Sequence, residues 1–257
     1  MAKVKKPLLF AISLIPIAVV AGIFIGFYLL DTYSDDIIAE MIAEFGSTDI
    51  IVAIGTIQTV VYALFCGFFG YILADKIGLW KPIQFEKKKL VSTLVISVPA
   101  GILLSLDYWI FGSVIDGVQS ADAVGLTVIG VIASVLYGGI IEELMLRLLF
   151  MSLIALIIWK LFFKKYEKEH IPAKVFVIAN FIAAFSFAAG HIPATIGIFG
   201  TLTPLILLRC FLLNGVGGLI FGRLYRKYGI VYAMTSHAVF HIVIKLIWVV
   251  FTAEFNQ

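Results

Sequence analysis

Charge is what this sequence has least of. Of its 257 residues only 14% are Asp, Glu, Lys or Arg, against about a quarter in a soluble globular domain. Hydrophobic residues make up 62%, and the mean hydropathy is +1.09. A water-soluble core of this length cannot bury so much apolar side chain, so the solvent is the bilayer. Cysteine is nearly missing as well. Cys66 and Cys210 lie far apart in apolar runs, without CxxC or Cys/His spacing. That excludes a disulfide scaffold and a zinc ribbon, and leaves two buried free thiols. HExxH, a serine elbow, a phosphate loop and GxGxxG are all missing, which removes the soluble zinc proteases, the α/β-hydrolases and the nucleotide enzymes. The net charge of +3 gives no reason to expect a nucleic-acid partner.

What is present is a series of charge-free apolar runs: 8–30, 50–73, 90–106, 123–141, 148–159, 175–190, 211–222 and 230–244, the last resuming to 251. At roughly 20 residues per crossing, they predict an all-α, polytopic transmembrane helical bundle of about seven to eight helices, one membrane domain over 1–257. The first run has 23 residues. A signal-peptide core has about 7–15, so this run is the first transmembrane helix. The linkers alternate in sign. Residues 31–49 and 107–122 carry acids and no base, whereas 74–89, 160–174 and 223–229 are rich in Lys and Arg. The positive-inside rule places the N-terminus and the basic linkers in the cytoplasm and the acidic linkers outside. The expected location is the cell membrane. This alternation needs an odd number of crossings between 123 and 159, and Gly138-Gly139 is the expected break or kink.

A charge near the bilayer centre costs at least about 2.5–3.5 kcal/mol, so each one needs a reason. Glu142, Glu143 and Arg147 lie in Ile-Ile-Glu-Glu-Leu-Met-Leu-Arg-Leu-Leu-Phe. Glu143 and Arg147 are four apart, share a helical face and are expected to pair. Glu142 is turned about 100° away and has no basic partner on its own helix. His191 closes the run Phe-Ser-Phe-Ala-Ala-Gly-His, and His237 and His241 sit one turn apart on an apolar helix. Arg209 and Lys245 are expected to snorkel to the headgroups, and His170 to lie in a solvated loop. The charge pattern places His191 toward the outer leaflet and His237 toward the inner one.

A carboxylate and an imidazole that share a water can make a nucleophile, and amide hydrolysis also needs donors aimed at the oxyanion. Glu142, His191, His237 and His241 have the right types. The same four could instead hold zinc, with His237 and His241 at the i, i+4 spacing of helical zinc sites. Intramembrane Glu and His also make proton relays in transporters. The paired interrupted helices of a transporter are not visible here.

At these residues the sequence resembles the intramembrane proteases of the CAAX-processing and bacteriocin-processing family, the CPBP or Abi group. The three motifs are Glu142-Glu143-Leu-Met-Leu-Arg147, Phe187-Ala-Ala-Gly-His191 and His237-Ala-Val-Phe-His241, in the family's order. Gly222-Arg-Leu-Tyr-Arg-Lys-Tyr-Gly229 resembles the lead-in to the last motif. The likeness covers about 123–245. It implies an intramembrane endopeptidase acting on a membrane-associated or prenylated, CAAX-like peptide. It also implies that Glu142 and His191 activate water, that His237 and residue 241 stabilise the oxyanion, and that Glu143 and Arg147 support them, with Phe187 part of the motif. The partners implied are the lipid bilayer and a peptide or lipidated protein. The sequence departs from the family in two places. Leu146-Arg147-Leu148 stands where Phe-Arg-Gly is common, and His241 stands where Asn or Asp is usual. The second departure strengthens the zinc alternative and also leaves open a non-catalytic bacteriocin-immunity or sensor-regulating protein.

Overall fold

The computed structural model describes residues 2–253, with side chains described over 4–251. Within them the chain is helical and has no strand. Seven helices are long and apolar enough to cross a membrane: Val4–Thr32, Thr48–Lys76, Lys87–Ile110, Val128–Phe162, Ala173–Phe199, Pro204–Tyr228 and Ile230–Phe251. They are the first to seventh spans below. The protein is an integral-membrane, all-α bundle. Large apolar side chains such as Ile57, Val61 and Phe65 on the second span and Phe181 and Phe185 on the fifth are exposed. In a bilayer this is a lipid-facing surface.

Lipid tails are as apolar as the side chains, so the spans associate through close packing and internal hydrogen bonds. Glycine supplies the closeness. A Cβ on Gly22 of the first span would stand 2.6 Å from the Thr56 Cα of the second. A Cβ on Gly70 would stand 2.9 Å from Leu148 of the fourth span, and one on Gly218 of the sixth 3.0 Å from Ala184 of the fifth. The third and seventh spans are joined by the Ser97 and Ser236 hydroxyls, 2.6 Å apart and buried. Each hydroxyl in such a pair answers a polar group that lipid would leave unsatisfied.

Two spans depart from α-helical geometry where the site is built. The fourth runs unbroken from Val128 to Phe162, although a break was expected at Gly138-Gly139. Ser134–Glu142 and Leu144–Met151 are π-helical, a wider coil with i→i+5 hydrogen bonds. This single long span satisfies the odd number of crossings. The two glycines serve packing: a Cβ on Gly139 would meet the Ala238 Cβ at 3.1 Å, and one on Gly138 would meet His241 Nε2 at 2.8 Å. They let the seventh span approach the fourth. The fifth span is interrupted at His191, between Ala173–Gly190 and Ile192–Phe199. Pro193 follows in the first turn of the second piece, where its missing N–H is cheapest.

Candidate active site

The fourth span sets the frame. In a π-helix residues five apart are joined by backbone hydrogen bonds and lie on neighbouring turns. Tyr137 and Glu142 accordingly both line one cavity, while Gly138 and Glu143 both face the seventh span. Glu143 and Arg147 are fully buried, with Arg147 Nη1 3.2 Å from Glu143 Oε1. The expected ion pair is there. The guanidinium also lies over the rings of Phe187 and Phe221, at 4.6 and 5.4 Å from their centroids.

Glu143 has a second task that its spacing to Arg147 does not reveal. Its Oε1 accepts a hydrogen bond from His237 Nδ1 at 2.9 Å. A carboxylate only accepts, so the proton of this bond is on Nδ1 and Nε2 is the nitrogen left bare of it. Phe221 stacks on this imidazole at 4.3 Å and 18° and fixes its plane. His191 is oriented in an equivalent way. The helix tightens at the interruption, so the His191 backbone N–H bonds to the Ala188 carbonyl. That leaves the Phe187 carbonyl to the ring, whose Nδ1 donates to it at 2.8 Å. Here too the bare nitrogen is Nε2.

Both bare nitrogens face one carboxylate. His191 Nε2 is 3.7 Å from Glu142 Oε1, and His237 Nε2 is 3.9 Å from Glu142 Oε2. The loop charges had put these histidines in different leaflets, but the bundle places them on either side of Glu142. His241 lies one turn further along the seventh span, its ring stacked on His237 at 5.0 Å. It lines the same cavity of about 800 Å³, which also carries Tyr33 and Phe45 from the acidic 31–49 linker and Phe199 from the end of the fifth span. The zinc alternative gains no ligand set. Among the described residues, no group of three or more His, Cys, Asp or Glu is disposed to hold a metal ion.

The segment carrying these residues, 124–243, matches the model of the Rce1-like family, the type II CAAX prenyl endopeptidases. The family resemblance read from the three motifs is borne out, and the Rce1-like match supports a CAAX-type endopeptidase within the membrane. No curated protein and no solved structure matches the chain.

Other expectations are corrected. Arg209 and Lys245 do not reach headgroups. Arg209 grips Asp107 through Nε and Nη2, at 2.9 Å to Oδ1 and 2.5 Å to Oδ2, and reaches Asp122 Oδ1 at 3.3 Å. Lys245 is buried and donates to the Gly125 carbonyl. Asp107 and Asp122, assigned to an outward acidic linker, are buried with them. Arg209 is answered by the two carboxylates and Lys245 by a backbone carbonyl, so both cations have partners inside the bundle. Their partners lie on other segments of the chain, so no spacing within one apolar run could have found them. His170 lies exposed in the loop, and Cys66 and Cys210 are buried free thiols, as expected.

Proposed function

We propose that the protein is an intramembrane endopeptidase that hydrolyses a peptide bond of a prenylated, CAAX-like peptide with a water activated by Glu142 and His191. The observation that carries this reading is the convergence of three acceptors, the Glu142 carboxylate and the bare Nε2 atoms of His191 and His237, at 3.7 and 3.9 Å. Separations just beyond direct hydrogen bonding suit a small bridging donor such as water. A water held there gives one O–H to Glu142 and the other to an imidazole.

The water oxygen attacks the scissile carbonyl carbon as Glu142 takes its proton. The carbonyl electrons move to oxygen, and that oxyanion needs donors. His241 supplies one from Nε2, which packs against Gly138 at the wall of the large cavity. His237, held by Glu143, is the second donor when its Nε2 carries a proton taken up from solvent before the attack. Collapse of the intermediate breaks the C–N bond, and the proton on Glu142 goes to the leaving amine. The Glu143–Arg147 pair keeps His237 in place. The large cavity, lined mostly by apolar side chains, offers room for a lipid-bearing residue. Seven crossings with basic linkers on one side support a cytoplasmic N-terminus, and we place the protein in the cell membrane.

The test is cleavage of a farnesylated CAAX peptide by the purified protein in lipid. Glu142→Gln, His191→Ala and His237→Ala should each lower the rate by about 10²–10⁴ while leaving the fold intact. Full activity in the Glu142 variant would sink the mechanism. A triple variant that still complements a deletion phenotype would favour the non-catalytic alternative.

A further inference from the structure

The mechanism leaves one buried cation unused. Lys245 is 8% exposed, and among the described residues no carboxylate lies within ion-pair distance of it. Its ammonium has three donors, one of them on the Gly125 carbonyl. It projects from the seventh span in register with His237 and His241, one face at successive i, i+4 steps. All three line a second cavity of about 220 Å³, together with Asp107, Asp122, Arg209 and Asn214. This cavity shares His237 and His241 with the larger one.

Taking the hydrolysis reading as its basis, we propose that Lys245, with Asp122 and Arg209 beside it, is the subsite for the free C-terminal carboxylate of the peptide substrate. Eight residues of helix separate Lys245 from His237, a rise of about 12 Å. An extended peptide covers that distance in about three or four residues. The subsite therefore measures a short tail beyond the scissile bond.

The surrounding charges fit an anion. Arg209 is neutralised by its two-point grip on Asp107. Asp122 Oδ2 is buried and has no hydrogen-bond partner. Burial pushes this carboxyl up to about 7, against the opposing pull of Arg209. Around neutral pH a proton on Oδ2 makes Asp122 a donor, and the cluster then carries net positive charge. The groups facing Asp122 are Arg209 and Lys245, which favour its ionised form, and Asp107, which opposes it. Tyr28 of the first span lines the same space.

The experiment compares prenylated peptides that differ only at the chain end: a free acid, a C-terminal amide, and an amide whose last side chain is Asp. In wild-type protein the free acid should be preferred over the plain amide by roughly tenfold to a hundredfold in kcat/KM, mostly through KM, as a charge-assisted hydrogen bond implies. In Lys245→Met that ratio should collapse toward one, and Lys245→Arg should restore part of it. A merely structural lysine would lower acid and amide cleavage alike and leave the ratio unchanged. Equal cleavage of acid and amide by the wild type would overturn the subsite and leave the protease reading standing. If the Asp amide matches the free acid, the site reads any carboxylate and the chain-end assignment fails. A second measurement is independent of turnover: the shift in melting temperature of wild-type and Lys245→Met protein with a short apolar peptide of about three or four residues, as acid and as amide. Stabilisation of wild type by the acid alone supports the subsite even if no peptide is cut. Equal shifts with both forms refute it.

Discussion

Replacing Glu143 with Gln isolates the ion pair at the centre of the site. The amide keeps the volume and an oxygen that can accept from His237 Nδ1, but the charge opposite Arg147 is gone. Arg147 is 1% exposed and stands 3.2 Å from Glu143, so the variant strands a buried cation. Breaking a buried pair from one side costs about 3–5 kcal/mol. The rings of Phe187 and Phe221 over the guanidinium offset about 1 kcal/mol of this. The expected loss is roughly 2–4 kcal/mol, and at about 2–4 °C per kcal/mol for a chain of this size the melting temperature should fall by about 10 °C. Arg147→Met strands the carboxylate instead and should also destabilise. The double variant removes both charges and should recover most of the loss, giving a coupling of at least about 2 kcal/mol in a double-mutant cycle. Thermal unfolding in detergent, followed by reaction of the buried Cys66 thiol with a fluorescent maleimide, reads all four proteins. If Glu143→Gln melts within about 2 °C of wild type, or if the two losses simply add, the residues are not a coupled buried pair and the argument fails.

Three further outcomes follow from single contacts. Gly138→Ala puts a methyl 2.8 Å from His241 Nε2; it should cut peptide hydrolysis at least tenfold while costing no more than the roughly 1–3 kcal/mol of ordinary overpacking, and normal turnover would remove His241 from the site. Gly22→Ala brings a Cβ to 2.6 Å from the Thr56 backbone, so it should destabilise the first and second spans by about 1–3 kcal/mol, measured by melting temperature; an unchanged melting temperature counts against that close approach. For Asp122, the unfolded carboxyl loses its proton near 3.8 and the folded one near 7, so the folded protein holds the extra proton between those values. Stability then falls as pH rises across that window, by on the order of 4 kcal/mol above it; Asp122→Asn should flatten the profile of melting temperature against pH, and two parallel profiles would refute the assignment.

Much of the fold was legible because the bilayer imposes a length and a composition on every crossing. The apolar runs between sign-alternating linkers mark all seven spans, although runs 123–141 and 148–159 are one helix. What joins them was hidden in the chemistry of the interruption. Gly138-Gly139 reads as a break, yet the glycines serve packing against the seventh span, Glu143 and Arg147 neutralise each other, and the helix continues through all of them in a wider coil. The candidate site was legible as a set of residue types, and the i, i+4 rule found the Glu143–Arg147 pair. It could not find the bond from His237 to Glu143, which crosses between helices 94 positions apart in sequence. Nor could it find Asp107 with Arg209, since acids at the end of an apolar run look the same whether they face water or a partner on another span. Loop charge also misplaced the histidines by leaflet, because it fixes the direction of a span and not the depth at which a residue on it lies.

The site depends on two opposite departures from the α-helix. In the fourth span the coil widens. Tyr137 and Glu142 line the cavity, and Gly138 and Glu143 face the seventh span. The two adjacent glutamates can then serve different neighbours: Glu143 faces Arg147 and His237, and Glu142 faces the cavity with no cation of its own. In the fifth span the coil tightens. The His191 backbone N–H turns to Ala188, and the freed Phe187 carbonyl fixes the imidazole. That is a physical reason for the four-residue spacing from Phe187 to His191, since the ring must reach the carbonyl of its own preceding turn. Each departure leaves a carbonyl or a carboxylate that a histidine Nδ1 then satisfies, and the two Nε2 atoms are thereby aimed at Glu142. A regular α-helix at either place would satisfy its own backbone and leave these imidazoles without a fixed orientation. Restoring α-helical register in the fourth span, by deleting one residue between 134 and 141, should therefore abolish hydrolysis and uncouple Glu143 from His237 even where the protein still inserts. If such a deletion retained activity, the wide coil would be incidental to the chemistry.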